Sequence, residues 1–140
     1  MSESPSADAT RSLRDAAFAA MENAYAPYSN FRVGAALRTT DGTIISGCNV
    51  ENAAYGEALC AERVAVAAAV AQGIKSFDEI AIASESDDPS PPCGSCRQTM
   101  SEFAPDLRVT SYAKNGKEAT WRLSDLLPEA FALNHLRGRM

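Results

Sequence analysis

Apolar residues recur at near-helical spacing early in the chain. Leu13, Ala17, Phe18, Met21 and Tyr25, with Arg and Glu between them, predict an amphipathic helix over about 7–25. "YAPYSN" (25–30) breaks it at Pro27. Short β-rich runs follow: "VGAALRT" (33–39) and "TIISGCNV" (43–50) flank Asp41-Gly42, a hairpin signal. "ENAAYGEA" (51–58) reads as a loop, and a helix follows over about 60–72, stopped by Gly73 as a C-terminal cap. From Val64 to Ala71 every residue is Ala or Val. A helix apolar all round is buried, between a sheet and other helices or between subunits. Only its N-terminal end is then left to meet solvent or a ligand.

The second half alternates. "DEIAIASES" (78–86) reads as a third strand and "SDDPSPPCGS" (86–95) as a proline-rich loop. A short helix over Cys96–Phe103 follows, then a fourth strand "LRVTSYA" (107–113), a turn at Asn115-Gly116 and a fifth strand "EATWRL" (118–123). "SDLLPEAFALNHL" (124–136) reads as a helical tail. Helices alternating with strands after an initial hairpin predict a layered α/β domain. The expectation is one domain over residues 1–140, with residues 1–10 ("MSESPSADAT") as a polar, flexible arm.

Charge narrows the partners. With 13 Lys and Arg against 18 Asp and Glu, the chain carries a formal charge of −5, which disfavours nucleic acid or an anionic membrane as the main partner. No apolar run is long enough to span a bilayer. The N-terminus lacks the basic and apolar regions of a signal peptide, so the expected location is cytoplasmic. Four cysteines in such a chain point to metal binding or catalysis rather than a disulfide framework.

Three of those cysteines form a pattern: Cys60-Ala61-Glu62, then Pro92-Cys93-x-x-Cys96, with 32 residues between Cys60 and Cys93. Three protein ligands with an open fourth position is the arrangement of a catalytic zinc, whereas four closed ligands would be structural. Cys60 and Glu62 are i, i+2 and point to different sides of a helix. They converge on one metal only if it lies off the helix end, which places Cys60 at the N-cap or first helical position. Cys93 after Pro91-Pro92 is expected at the start of the next helix. Both helix dipoles would then favour thiolates. Arg63 adds a cationic donor that offsets the charge of three thiolates on zinc. Glu62, adjacent to a ligand, suits a proton shuttle. Other readings of these residues exist. Cys93/Cys96 could be a thioredoxin-like redox pair, Cys48 could close a four-cysteine site or be a small buried hydrophobe, and Glu62 and Arg63 could be an ordinary helix-start pair.

These residues resemble the zinc-dependent cytidine deaminases of nucleoside salvage, most closely the short, three-cysteine, homotetrameric type. "APYSNFRVGAAL", "GCNVENAAY", "CAERVAV", "SPPCGSCRQTMSEF" and "LLPEAF" look like that family's blocks, in order, over roughly Ala24–Phe131. The resemblance implies a three-layer α/β fold, a central mixed sheet of about five strands with helices on both faces. It implies one Zn2+ per chain on Cys60, Cys93 and Cys96, Glu62 as proton donor and acceptor, and Arg63 hydrogen-bonded to ligand thiolates. It further implies Asn49 and Glu51 on the ribose, Phe31 beside the base, and the Ala61 backbone N–H on the pyrimidine carbonyl. Tyr55 and Phe131 would complete a neighbouring subunit's site in a homotetramer. Arg32, Glu57 and Ala58 depart from the family's pattern.

The implied activity is deamination of cytidine and 2′-deoxycytidine, a small-molecule reaction without nucleic-acid or membrane partners. A deaminase for an aminonucleoside antibiotic such as blasticidin S shares the Cys-Ala-Glu and Pro-Cys-x-x-Cys core and is the nearest rival; "NVEN" and "LLPEAF" favour cytidine. The acidic charge opposes a polynucleotide editor. A Ser-His-Asp hydrolase is excluded, because the only histidine is His135 in the tail.

Overall fold

A computed structural model of the chain describes residues 5–133. Helix α1 (Ala7–Met21) starts at Ser6, whose hydroxyl accepts from Ala9 N–H at 3.1 Å. Residues 7–10 thus belong to α1 rather than to an arm. The helix ends at Met21, short of the expected Tyr25, because Tyr25 is drawn into an isolated bridge with Val50. The following turn closes on Asn30, whose N–H donates to Ala26 O and whose φ of 57° is a left-handed conformation that asparagine tolerates.

Strands β1 (Val33–Thr39), β2 (Ile44–Cys48), β3 (Phe77–Ser84), β4 (Arg108–Tyr112) and β5 (Glu118–Arg122) match the five expected runs. They form one sheet in the order β2-β1-β3-β4-β5, in which only the β3–β4 pair is parallel. The expected mixed five-stranded sheet is therefore present. Alternation along the strands splits the core in two. Ala36, Ala81, Ala83 and Tyr112 face Leu13, Ala17 and Met21 of α1. Ala35, Leu37, Ile80, Ile82 and Val109 face the other layer, formed by α2 (Ala61–Ala71), α3 (Gly94–Ser101) and α4 (Leu123–Leu126). This is the expected three-layer arrangement.

Helix α2 follows β2 and leads to β3, and α3 joins β3 to β4. Since β2, β3 and β4 run in one direction, both helices begin at the end of the sheet where those strands finish. Ligands of open α/β sheets bind at this end. Helix α2 closes with Gly73 at φ +81°, where Gly73 N–H reaches Val70 O and Ile74 N–H reaches Ala69 O. It is not buried all round, as its sequence suggests: Ala61, Ala65, Val66 and Ala69 face the core, while Ala67 and Ala71 are exposed.

Close approach of α2 to the sheet depends on Gly47 of β2. A Cβ there would lie 2.5 Å from Ala65 N and 2.9 Å from Ala61 O. Backbone cannot yield as a side chain can, so Gly47→Ala is expected to destabilise the fold by about 1–3 kcal/mol and to displace the start of α2. An unchanged denaturant midpoint would contradict this.

The expected helical tail is cut short. Helix α4 ends at Leu126, Leu127 leaves helical geometry at φ −144°, and Pro128 follows. Residues 134–136 of that stretch, including His135, lie outside the described residues. Among the described residues no helix is long and apolar enough to cross a membrane.

Candidate active site

Cys60 is the N-cap of α2 and Cys93 the N-cap of α3; Cys96 lies in the first turn of α3. The placement of Cys60 outside the helix proper is what its cooperation with Glu62 requires. The three sulfurs lie within 4.8 Å of one another, with Cys60–Cys93 at 4.0 Å and Cys93–Cys96 at 3.4 Å. Sulfurs at about 2.3 Å from a tetrahedral zinc stand about 3.8 Å apart, and the two distances of 3.4 and 4.0 Å bracket that separation, so the donor set suits zinc. Cys48, at the end of β2, is not part of this group, so no fourth thiol closes it among the described residues.

The surroundings suit thiolates. Cys96 N–H donates to Cys93 Sγ at 3.4 Å. A hydrogen bond from Cys96, with Arg63 and Cys93 nearby, holds the Cys60 thiol down at about 5. The Cys96 thiol is pushed up, since it keeps the proton it shares with Cys60 and is buried. Arg63 donates from Nη2 to Ala58 O at 3.1 Å, and its buried Nε has no hydrogen-bond partner among the described residues. This leaves a cation with an unpaired donor beside the thiol cluster.

Glu62 sits in the first turn of α2, 6% exposed. Burial pushes its carboxyl up to about 7, and the charge of Cys60 adds to this. It lines a cleft of about 300 Å³ together with Cys60, Cys93, Ala61, Phe31, Asn49 and Glu51. Seven of the residues singled out in the sequence, from four separate segments, thus share one cleft.

Asn49 and Glu51 are held by reciprocal backbone bonds. Glu51 N–H reaches Tyr25 O and Tyr25 N–H reaches Asn49 O; Val50 and Leu59 exchange both bonds. The Asn49 side chain accepts from Val33 N–H and donates to Phe31 O, both at 2.9 Å, so it fixes the wall that carries Phe31. The Glu51 carboxylate accepts from the N–H groups of Tyr28 (3.0 Å) and Ser29 (3.1 Å) and from the Ser29 hydroxyl. These bonds, the hydroxyl first, hold its pKa below the ordinary 4.5. Depression of a carboxyl stabilises the folded state above pH 4.5, and this contribution is lost as pH falls through the lowered native value. The expected result is a Glu51 carboxyl carbon resonance that titrates below 4.5, with faster exchange of the Tyr28 and Ser29 amides once it is protonated. Titration at or above 4.5 would contradict it.

Tyr55 and Phe131 do not join this cleft. Tyr55, in a short 3-10 helix at Tyr55–Glu57, is 78% exposed, and Phe131 is 66% exposed, its carbonyl accepting from Gln98 Nε2.

Several contributors carry no sequence signal. Arg32, a departure from the family's pattern, donates from its backbone N–H, Nε and Nη2 to Glu85 at 2.8–3.2 Å, tying the Phe31 segment to the chain just beyond β3. Arg97 ties Pro92 O to Leu126 O and so fixes the loop that delivers Cys93. Ser84, Ser90 and Ser111 line the cleft. Serines in strands and loops have no spacing that marks them.

Comparison with known proteins agrees with this geometry. Residues 8–112 match the model of the cytidine and deoxycytidylate deaminase zinc-binding region. A cytidine deaminase of Sporosarcina psychrophila is 44% identical over 120 residues, covering 84% of this chain and 87% of that protein. One of Halalkalibacterium halodurans is 46% identical over 116 residues, covering 82% and 88%. The crystal structure of cytidine deaminase from Burkholderia pseudomallei superposes with a TM-score of 0.84 at 50% identity, covering 86% of this chain and 98% of that one. With its sulfur triad, its buried carboxylate and these relatives, the chain belongs to the zinc-binding cytidine and deoxycytidylate deaminase family.

Proposed function

We propose that this chain hydrolyses cytidine and 2′-deoxycytidine to the corresponding uridines and ammonia, within cytoplasmic pyrimidine salvage. The observation that carries the reading is the buried carboxyl of Glu62 in a cleft lined also by Cys60 and Cys93, two of a group of three thiols on two helix starts. Cys60, Cys93 and Cys96 would hold the zinc, which when bound would supply the Lewis acidity that makes water a nucleophile at neutral pH. Glu62 accepts a proton from that water and delivers it to N3 of the base, and the water oxygen bonds to C4. Glu62 then takes the remaining proton from the new C4 hydroxyl and delivers it to the amino group; the C4–N bond breaks, the C4 carbonyl forms, and ammonia leaves. The Ala61 N–H, at the start of α2, holds the C2 carbonyl. Asn49 and Glu51 hold the sugar hydroxyls, and Phe31 covers the base.

We further propose a single domain over the 140 residues that works as a homotetramer. Tyr55 and Phe131, exposed and outside their own chain's cleft, and the open alanine face of α2 support this; each would meet a neighbouring subunit. The experiment is ultraviolet-monitored turnover of cytidine, with zinc counted per chain and the oligomer measured by sedimentation. Turnover with one zinc per chain supports the reading. Ammonia release from blasticidin S in preference to cytidine would assign the site to the aminonucleoside rival.

A further inference from the structure

Ser111 is anomalous in its surroundings. It lies on β4, opposite Ile82 of β3 in the sheet register, and shares a face with Val109, Ile80 and Ile82. It is fully buried, yet its hydroxyl has no hydrogen-bond partner among the described residues. An apolar side chain would suit this row better, since a buried hydroxyl left unpaired loses its hydration for nothing. Ser111 also lines the cleft, together with Ile82 and Ser84. The Ser84 hydroxyl accepts from Ser86 N–H at 3.3 Å and keeps its own proton to donate. The sheet thus contributes two hydroxyls to a cleft whose other walls already account for the substrate's polar atoms.

That accounting rests on the function proposed above. The C4 amino end meets the thiol group, N3 meets Glu62, the C2 carbonyl meets Ala61 and the sugar meets Asn49 and Glu51. The edge left for the sheet is C5–C6, which in cytidine bears no polar atom. We propose that Ser111, seconded by Ser84, makes the cleft selective for pyrimidine nucleosides carrying a small hydroxylated group at C5 over those carrying an apolar group of the same size. A site with a buried hydroxyl discriminates strongly against a ligand that leaves the hydroxyl unpaired, and weakly on size alone.

The test compares 5-hydroxymethylcytidine with 5-ethylcytidine, near-isosteres, on the zinc-loaded protein. The expected kcat/KM ratio favours the hydroxymethyl compound by roughly tenfold or more. Ser111→Ala should bring the ratio to about twofold or less, and Ser111→Thr, which keeps a hydroxyl, should retain the preference. Dissociation constants of 5-hydroxymethyluridine and 5-ethyluridine, measured by calorimetry, should show the same preference without any chemical step. Equal or inverted wild-type ratios overturn the proposal, as does a preference that survives in Ser111→Ala, or rejection of both substituted nucleosides by a protein that turns over cytidine. Should Ser111→Ala fail to fold, the wild-type ratios and Ser111→Thr decide. Absence of cytidine turnover altogether refutes the functional reading beneath the proposal, and the proposal with it.

Discussion

Replacing Glu62 by glutamine is expected to leave zinc bound and the fold intact while lowering kcat by about 10²–10⁴-fold. Glutamine has the same shape and can occupy the same place at the start of α2, so the cleft and the thiol group should not move. It cannot accept a proton from water, pass one to N3 or deliver one to the leaving amine. All three transfers rest on one side chain, since no other carboxylate among the cleft residues is buried: Glu51 is committed to Tyr28 and Ser29 on the sugar side. The stability change should have the opposite sign to that of a structural lesion. Burial disfavours the charged carboxylate at this position, and a neutral amide avoids that penalty, so the thermal midpoint should hold or rise. Zinc per chain, thermal midpoint and single-turnover rate together separate these outcomes. A variant with full zinc that turns over cytidine at near wild-type rate would remove Glu62 from the mechanism. A variant that loses zinc would show instead that Glu62 organises the metal site.

The site was more legible in the sequence than the packing around it. Cys60, Glu62 and Cys93 could be placed because helix starts impose strong local rules: N-cap position, prolines before the helix, and the angular spacing of i and i+2. The structure puts Cys60 and Cys93 at N-caps as those rules demand. The strands were legible because the turn glycines, Gly42 and Gly116, have positive φ in the structure and the β-rich runs between turns are short. What failed depended on long-range contacts. The alanine-valine run of α2 reads as buried on every side, yet one sheet and its neighbouring helix cover only part of it. The homotetramer proposed above would set another chain against its exposed alanines, Ala67 and Ala71, and no periodicity within this chain encodes such a partner. The tail read as helix because its leucines and alanines have helical propensity, and Pro128 overrode them after one turn. Arg32–Glu85, Arg97 and Ser111 depend on distant pairings across the sheet and between loops, and only the assembled fold gives them a role.

Cys96→Ala is expected to abolish zinc binding and, through it, to lower stability more than the missing sulfur alone can explain. Removing a small buried side chain leaves a modest cavity whose effect is about 1–2 kcal/mol. Losing the metal is larger: a ligand present at 1,000 times its Kd stabilises the state that binds it by about 4 kcal/mol. Two sulfurs on two separate helix starts cannot hold zinc as three do, and the link between α2 and α3 at their N-terminal ends would go with the metal. Chelation distinguishes the two contributions. Wild-type protein stripped of zinc should lose most of the same stability and regain it on adding zinc, whereas Cys96→Ala should respond to neither treatment. Cys48→Ala serves as the contrast, since Cys48 stands outside the sulfur group and should keep one zinc per chain and the full response to chelator. Zinc retained by Cys96→Ala, or lost by Cys48→Ala, would mean that the metal is held by a different set of sulfurs. The open fourth position on which the deaminase reading depends would then have to be abandoned, because a closed four-thiolate zinc offers water no place to be activated.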